Sequence, residues 1–173
     1  KEGVKVIFLA NSDSTQGGDQ KYDSELLVEG SISVLGTADE PVTFTSSETA
    51  PSGGDWGGIK HKGAGVFEYA VLEYSGYGVY AENADLTFTN SKINYSGGYG
   101  LRGYGSEKTI LIENSEIKGT LGQALSFWSG YQNSSFTMRG SKIESCENTD
   151  WLMRFSERGP VTLENNEITG NKN

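Results

Sequence analysis

Apolar residues recur along the second half of the chain in columns rather than in runs. Leu72, Ile93, Ile117, Ile143 and Ile168 follow one another at steps of 21, 24, 26 and 25 residues. Five positions before each stands a second apolar side chain, Phe67, Phe88, Ile112, Met138 and Leu163. Two positions further back come Leu86, Ile110, Phe136 and Val161, with Gly65 breaking the column. Self-similarity at this period marks stacked structural units. Within each unit the two-residue spacing of β-branched, aliphatic and aromatic residues predicts a short strand with one buried face, as in Leu86-Thr87-Phe88.

A polar column runs beside these. Tyr69, Asn90, Asn114, Gly140 and Asn165 precede the closing residues by three, and Ala70, Ser91, Ser115, Ser141 and Asn166 follow them directly. Asn tolerates left-handed backbone, so the column predicts a turn, with each Asn amide bonded to the amides one coil above and below. Successive strands then lie parallel and in register, about 4.8 Å apart. The outward positions test that register independently. Lys92, Glu116, Lys142 and Glu167 alternate in sign from coil to coil, as do Glu113, Arg139 and Glu164. Alternation of this kind makes ion pairs only if the coils stack as proposed. The chain therefore reads as an all-β, single-stranded, right-handed parallel β-helix. At 173 residues and roughly 25 per coil, it has six or seven coils in one domain spanning residues 1–173.

A second strand recurs in each unit, where a small residue precedes an inward aliphatic: Gly58-Ile59, Gly78-Val79, Gly100-Leu101, Ala124-Leu125 and, less regularly, Trp151-Leu152. At the N-terminus Val4, Val6 and Phe8 alternate as a first strand. The stretch 10–24 is polar, with two adjacent glycines and no periodicity. It reads as a solvated insertion, although Asp13, Asp19 and Asp23 offer the hard oxygen ligands that calcium takes. Both ends of the chain read as interrupted coils without polar caps, as expected of part of a larger protein.

The repeat resumes at Leu26, and residues 36–46 (Gly-Thr-Ala-Asp-Glu-Pro-Val-Thr-Phe-Thr-Ser) are followed by Gly54-Asp55-Trp56-Gly57-Gly58-Ile59. This signature resembles that of bacterial cell-surface and secreted right-handed β-helix repeat proteins, within the wider pectate-lyase-like superfold. The resemblance is strongest over residues 26–59 and implies the fold, an extracellular location and a scaffold or adhesive role. It says little about activity. Gly57 and Gly58 allow a sharp bend beside Trp56.

Charge and cysteine content narrow the classes. A formal charge of −9 and an isoelectric point near 4.6 argue against nucleic acid or an anionic membrane surface as partner. Cys146 is the only cysteine, so no disulfide framework or zinc quartet exists. No apolar run is long enough to span a bilayer.

Enzymes of this superfold resemble one another in using clustered acids on calcium with a basic proton acceptor, or several Asp residues near a Gly-His-Gly. The one histidine, His61, stands in Lys60-His61-Lys62-Gly63 and departs from that pattern. It reads as an exposed strand or turn residue. Most repeat carboxylates fall in the charge ladders, where pairing keeps them ionised and unsuited to general acid work. Asp55 and Glu68 lie outside; Asp55 reads as a ligand of turn backbone. No catalytic residue is assigned.

Aromatic side chains give the stronger signal. Three positions past the second-strand aliphatic come Glu82, Tyr104, Trp128 and Phe155, so three rings are expected along one edge. Tyr74 and Tyr95 occupy equivalent places after the closing column, with Tyr77 and Tyr99 just beyond. Sugar rings present C–H faces to aromatic planes, and two coils approximate one disaccharide. Tyr104, Trp128, Tyr95, Tyr74 and Tyr99 are the expected glycan contacts. The Thr-x-Thr forms at Thr43 to Thr45 and Thr87 to Thr89, with Thr137 and Thr162 in line, resemble ice-binding rows, but Leu111 interrupts them. The expected role is a non-catalytic extracellular module that adheres to glycan. A polysaccharide lyase or hydrolase whose catalytic coils lie elsewhere is the alternative.

Overall fold

A lone strand with apolar residues at every second position has nothing to bury them against, so each coil buries its inner face on the coils before and after it. The structure, a computed structural model, describes residues 2–128, 133–147, 151–156 and 159–172. Among them are three parallel sheets and no helix.

Sheet A contains β1 (Lys5–Phe8), β4 (Val42–Ser46), β7 (Ala70–Glu73), β10 (Lys92–Asn94), β13 (Glu116–Lys118), β16 (Lys142–Glu144) and β19 (Glu167–Thr169). Sheet B contains β2 (Leu26–Val28), β5 (Ile59–His61), β8 (Tyr77–Glu82), β11 (Tyr99–Tyr104), β14 (Leu125–Phe127) and β17 (Met153–Phe155). Sheet C contains β3 (Ile32–Leu35), β6 (Gly65–Glu68), β9 (Leu86–Thr89), β12 (Thr109–Glu113), β15 (Ser135–Arg139) and β18 (Val161–Glu164). The chain visits A, B and C in rotation, six turns separating β1 from β19 and five separating β3 from β18.

The register follows the apolar columns. Leu72, Ile93, Ile117, Ile143 and Ile168 pair in sequence down sheet A, and Phe44 extends the column upward. Phe67, Phe88, Ile112, Met138 and Leu163 do the same in sheet C. Phe67, Phe88, Ile112, Met138, Leu72, Ile93 and Ile143 are wholly buried, each contributing roughly 1.5–3 kcal/mol over exposure. In the last rung, covered from one side only, Leu163 and Ile168 are 47% and 42% exposed.

The turn column adopts left-handed backbone throughout, from φ 49° at Tyr69 to 57° at Gly140. The expected ladder of Asn side chains is not what joins the coils there. The neighbouring Ser column carries it: Oγ of Ser91, Ser115 and Ser141 accepts the backbone N–H of Ala70, Ser91 and Ser115 at 2.9–3.1 Å, and Asn166 Oδ1 accepts from Ser141. Each Ser hydroxyl donates in turn to the carbonyl two residues back. The seryl oxygen points into the coil, where backbone amides lack other partners, whereas the Asn column lies at the outer bend.

His61 is buried, contrary to its expected exposure, because β5 turns it inward in register with Val28 and Ala81. Gly65 makes the room, since a β-carbon there would lie 2.5 Å from the imidazole Cε1. The break in the apolar column at Gly65 and the histidine are thus one feature. At Gly58, φ is 130° and a β-carbon would strike the Tyr77 carbonyl oxygen, which fixes glycine at the bend after Trp56. Trp56 itself is buried, stacks on Phe8 at 4.2 Å and donates from Nε1 to the Glu73 carbonyl at 2.8 Å.

Candidate functional site

Outward positions of sheet B are those that alternate with Ile59, Val79, Leu101 and Leu125. Pairing places Lys60, Tyr80, Arg102, Ser126 and Arg154 in one column. Two residues along the strands a second column starts with Glu82 opposite Tyr104. Trp128 continues it, its N–H bonding the Gly103 carbonyl at 3.2 Å. Tyr104 and Trp128 come together as expected, with centroids 6.4 Å apart and planes inclined by 48°. Tyr80 adds a third ring, 6.0 Å from Tyr104.

Phe155 does not join this edge. It pairs with Phe127, stacks on it at 6.4 Å and lies 4.5 Å from Phe136 among the inner side chains. The cause is register: Leu125 pairs with Met153 and not with Leu152, and a slip of one residue turns a side chain to the other face.

Polar groups frame the rings. The Tyr104 hydroxyl donates to Glu82 at 2.8 Å, which pushes the phenol up to about 12. Glu82 is ion-paired with Lys60, and that bond holds its carboxyl below the usual carboxylate range. Lys60 also meets Asp19 at 2.8 Å; burial works against its charge, but the two carboxylates hold it above the ordinary lysine value. Arg102 sits between two rings, its Cζ 4.3 Å from the Tyr80 centroid and 4.7 Å from that of Tyr99. Sequence reasoning missed Tyr80, Arg102 and Lys60, although each stands one position past an inward aliphatic and the same alternation identifies it.

The five expected contacts fall into two groups. Tyr99, Tyr104 and Trp128 lie on sheet B, whereas Tyr74 and Tyr95 stand in the turns leading from sheet A into it. Those two stack at 5.6 Å with planes 14° apart, both in left-handed backbone. With Pro51, Ser52, Gly53, Gly119 and Leu121 they line an open cleft of about 420 Å³.

The stretch 10–24 is largely exposed, as expected of a solvated insertion, and it is also pinned to the start of sheet B. Asp19 reaches Lys60, and the Glu25 carboxylate accepts the Asp19 N–H and the Tyr77 hydroxyl, each at 2.6 Å. Asp13 is occupied by the N–H and hydroxyl of Thr15. Among the described residues no group of His, Cys, Asp or Glu converges to hold a metal ion, and Asp13, Asp19 and Asp23 do not do so.

His61 Nδ1 donates to the Gly63 carbonyl at 2.7 Å, and burial holds the ring below the ordinary histidine range. Asp55 bonds its own turn as expected, accepting from Ser52 N and, at 2.6 Å, from the Ser46 hydroxyl. Leu111 does interrupt the threonine row between Thr87 and Thr137, and Thr43 lies on a different sheet. The charge ladders close through Lys92 with Glu116, Lys142 with Glu167 and Arg139 with Glu113. Glu144, outside the expected ladders, takes both Lys118 and Lys142.

Residues 31–173 match a family model described as a right handed beta helix region. No curated protein and no solved structure matches the chain.

Proposed function

Because this chain belongs to the right-handed β-helix family, we propose that it is a non-catalytic module of a secreted or surface-attached bacterial protein. It serves as an elongated scaffold that holds carbohydrate on the outer face of sheet B. The observation that carries this reading is the pair Tyr104 and Trp128, with Trp128 36% exposed on a flat parallel face. Exposed aromatic groups with polar neighbours favour binding surfaces, and the ring faces suit the C–H side of a pyranose. Glu82 and Lys60 beside them supply an acceptor and a donor for sugar hydroxyls. The Tyr74 and Tyr95 stack extends the contact at the corner that leads into the sheet.

The test is retention of the chain in gels containing a panel of polysaccharides, with Trp128→Ala compared at unchanged circular dichroism. Retention that falls by about tenfold in the variant supports the reading, a loss in line with one aromatic contact. Equal retention of variant and native chain removes it. New reducing ends or unsaturated uronate in the same incubations would transfer the chain to the lyases or hydrolases.

A further inference from the structure

The chain carries 23 acidic and 14 basic residues, and several basic side chains among the described residues nevertheless form no ion pair. Arg102 is one. Its guanidinium lies between Tyr80 and Tyr99, its Nε is buried without a hydrogen-bond partner, and among the described residues no carboxylate pairs with it. Lys60, two rungs away in the same column, shows the contrast, since Asp19 and Glu82 both hold it. Tyrosine faces stabilise a cation and fix its direction without neutralising it. With Nε buried, a guanidinium held this way presents its two terminal nitrogens to an anion, with little freedom left to lose on binding.

The column repeats the arrangement. Arg102 pairs with Ser126 and Ser126 with Arg154, so the two arginines stand two rungs apart, about 9.6 Å. Arg154 also rests on an aromatic ring, 5.2 Å from Trp151, and has no acidic partner among the described residues. Trp128 lies at the height of the intervening rung. The acid on the neighbouring strand, Glu82, is already paired with Lys60.

We infer that the glycan held on sheet B is acidic: one carboxylate or sulfate seats on Arg102, the next sugar stacks on Tyr104 and Trp128, and a second anion one disaccharide on meets Arg154. This rests on the carbohydrate-binding reading above. A bidentate ion pair of guanidinium and oxyanion is a strong, directional contact, and its salt dependence separates it from the stacking contribution.

Three immobilised polymers decide it: a uronate polysaccharide, the same polymer with its carboxyls reduced to alcohols, and a sulfated polysaccharide. The native chain should be retained on a charged polymer about tenfold more tightly than on the reduced one, with the advantage shrinking as salt rises. The charged polymer that retains it better identifies the anion. Arg102→Gln should abolish the advantage of charged over reduced polymer, and Arg154→Gln, at an exposed position, should lower it several-fold. Equal retention of charged and reduced polymers by the native chain overturns the inference and leaves the carbohydrate reading standing. An advantage that survives Arg102→Gln also overturns it. Absence of retention on all three overturns both.

Discussion

The imidazole of His61 lies where the side chain of residue 65 would be, and Gly65 has none. A β-carbon at 65 would sit 2.5 Å from Cε1 and 2.6 Å from Nε2 of the ring. Gly65→Ala should therefore destabilise the chain by about 1–3 kcal/mol through overpacking. His61→Ala on its own should cost a comparable amount through the cavity it leaves. Since the two changes act on one volume, the double variant should be less unstable than the sum of the singles. Denaturant melts of all four proteins check this, and strict additivity would show that His61 moves freely aside.

Ser115 bonds in both directions. Its hydroxyl accepts the Ser91 N–H at 3.1 Å and donates to the Glu113 carbonyl at 2.8 Å, in a buried position. Ser115→Ala leaves a buried amide of the preceding coil without its partner, a loss of about 1–3 kcal/mol. Amide hydrogen exchange should locate the effect: Ser91 N–H exchanges faster in the variant, while the N–H of Asn90, bonded to the Glu113 carbonyl, keeps its protection relative to global stability. Unchanged exchange at Ser91 would refute the ladder.

The repeat was legible because burial forces it. Phe67, Phe88 and Ile112 must superpose if each is to lose water, so the columns and the charge pattern report the same register. The sequence pattern places the hydrogen-bond ladder one residue early, on Asn rather than Ser, because left-handed turn preference and inward-pointing hydroxyls occupy adjacent columns. His61 looked exposed from its charged neighbours Lys60 and Lys62. Strand alternation turns those two outward and His61 inward, and Gly65 is the signal that marks the space. The aromatic edge was half legible: Tyr104 and Trp128 share a strand period with β8, whereas the last coil shifts by one residue and carries Phe155 inside. Arg102 needed three dimensions, since its meaning lies in the rings on either side and in the absence of an acidic partner among the described residues.

Glu144 stands between Lys118 at 2.8 Å and Lys142 at 2.6 Å. Hydrogen bonds from Lys118 first and Lys142 second hold its carboxyl down to about 2, against an ordinary 4.5. The folded value is the lower one, so its contribution to stability is present above pH 4.5 and is lost as pH falls toward 2. Carboxyl carbon shifts followed by NMR should place the Glu144 midpoint well below that of an unpaired glutamate. Lys118→Gln should move it upward, and a midpoint that stays put in the variant would show that Lys118 does not set it.

Glu25 is the point at which the stretch 10–24 is fastened, one carboxylate oxygen on the Asp19 N–H and the other on the Tyr77 hydroxyl. The Tyr77 ring is wholly buried, so Glu25→Ala removes a strap contact and also strands a phenol against protein. Two consequences separate. Proteolytic cleavage within 10–24 should accelerate several-fold, because the segment then opens locally without the coils unfolding. Global stability should fall by about 1–3 kcal/mol from the unpartnered hydroxyl, and Tyr77→Phe in the same chain should recover most of that loss by deleting the donor, while leaving cleavage fast. Recovery of both properties together would mean that the strap is held through Tyr77 alone. Recovery of neither would mean that Glu25 acts by packing against Gly57, whose β-position it approaches within 2.8 Å.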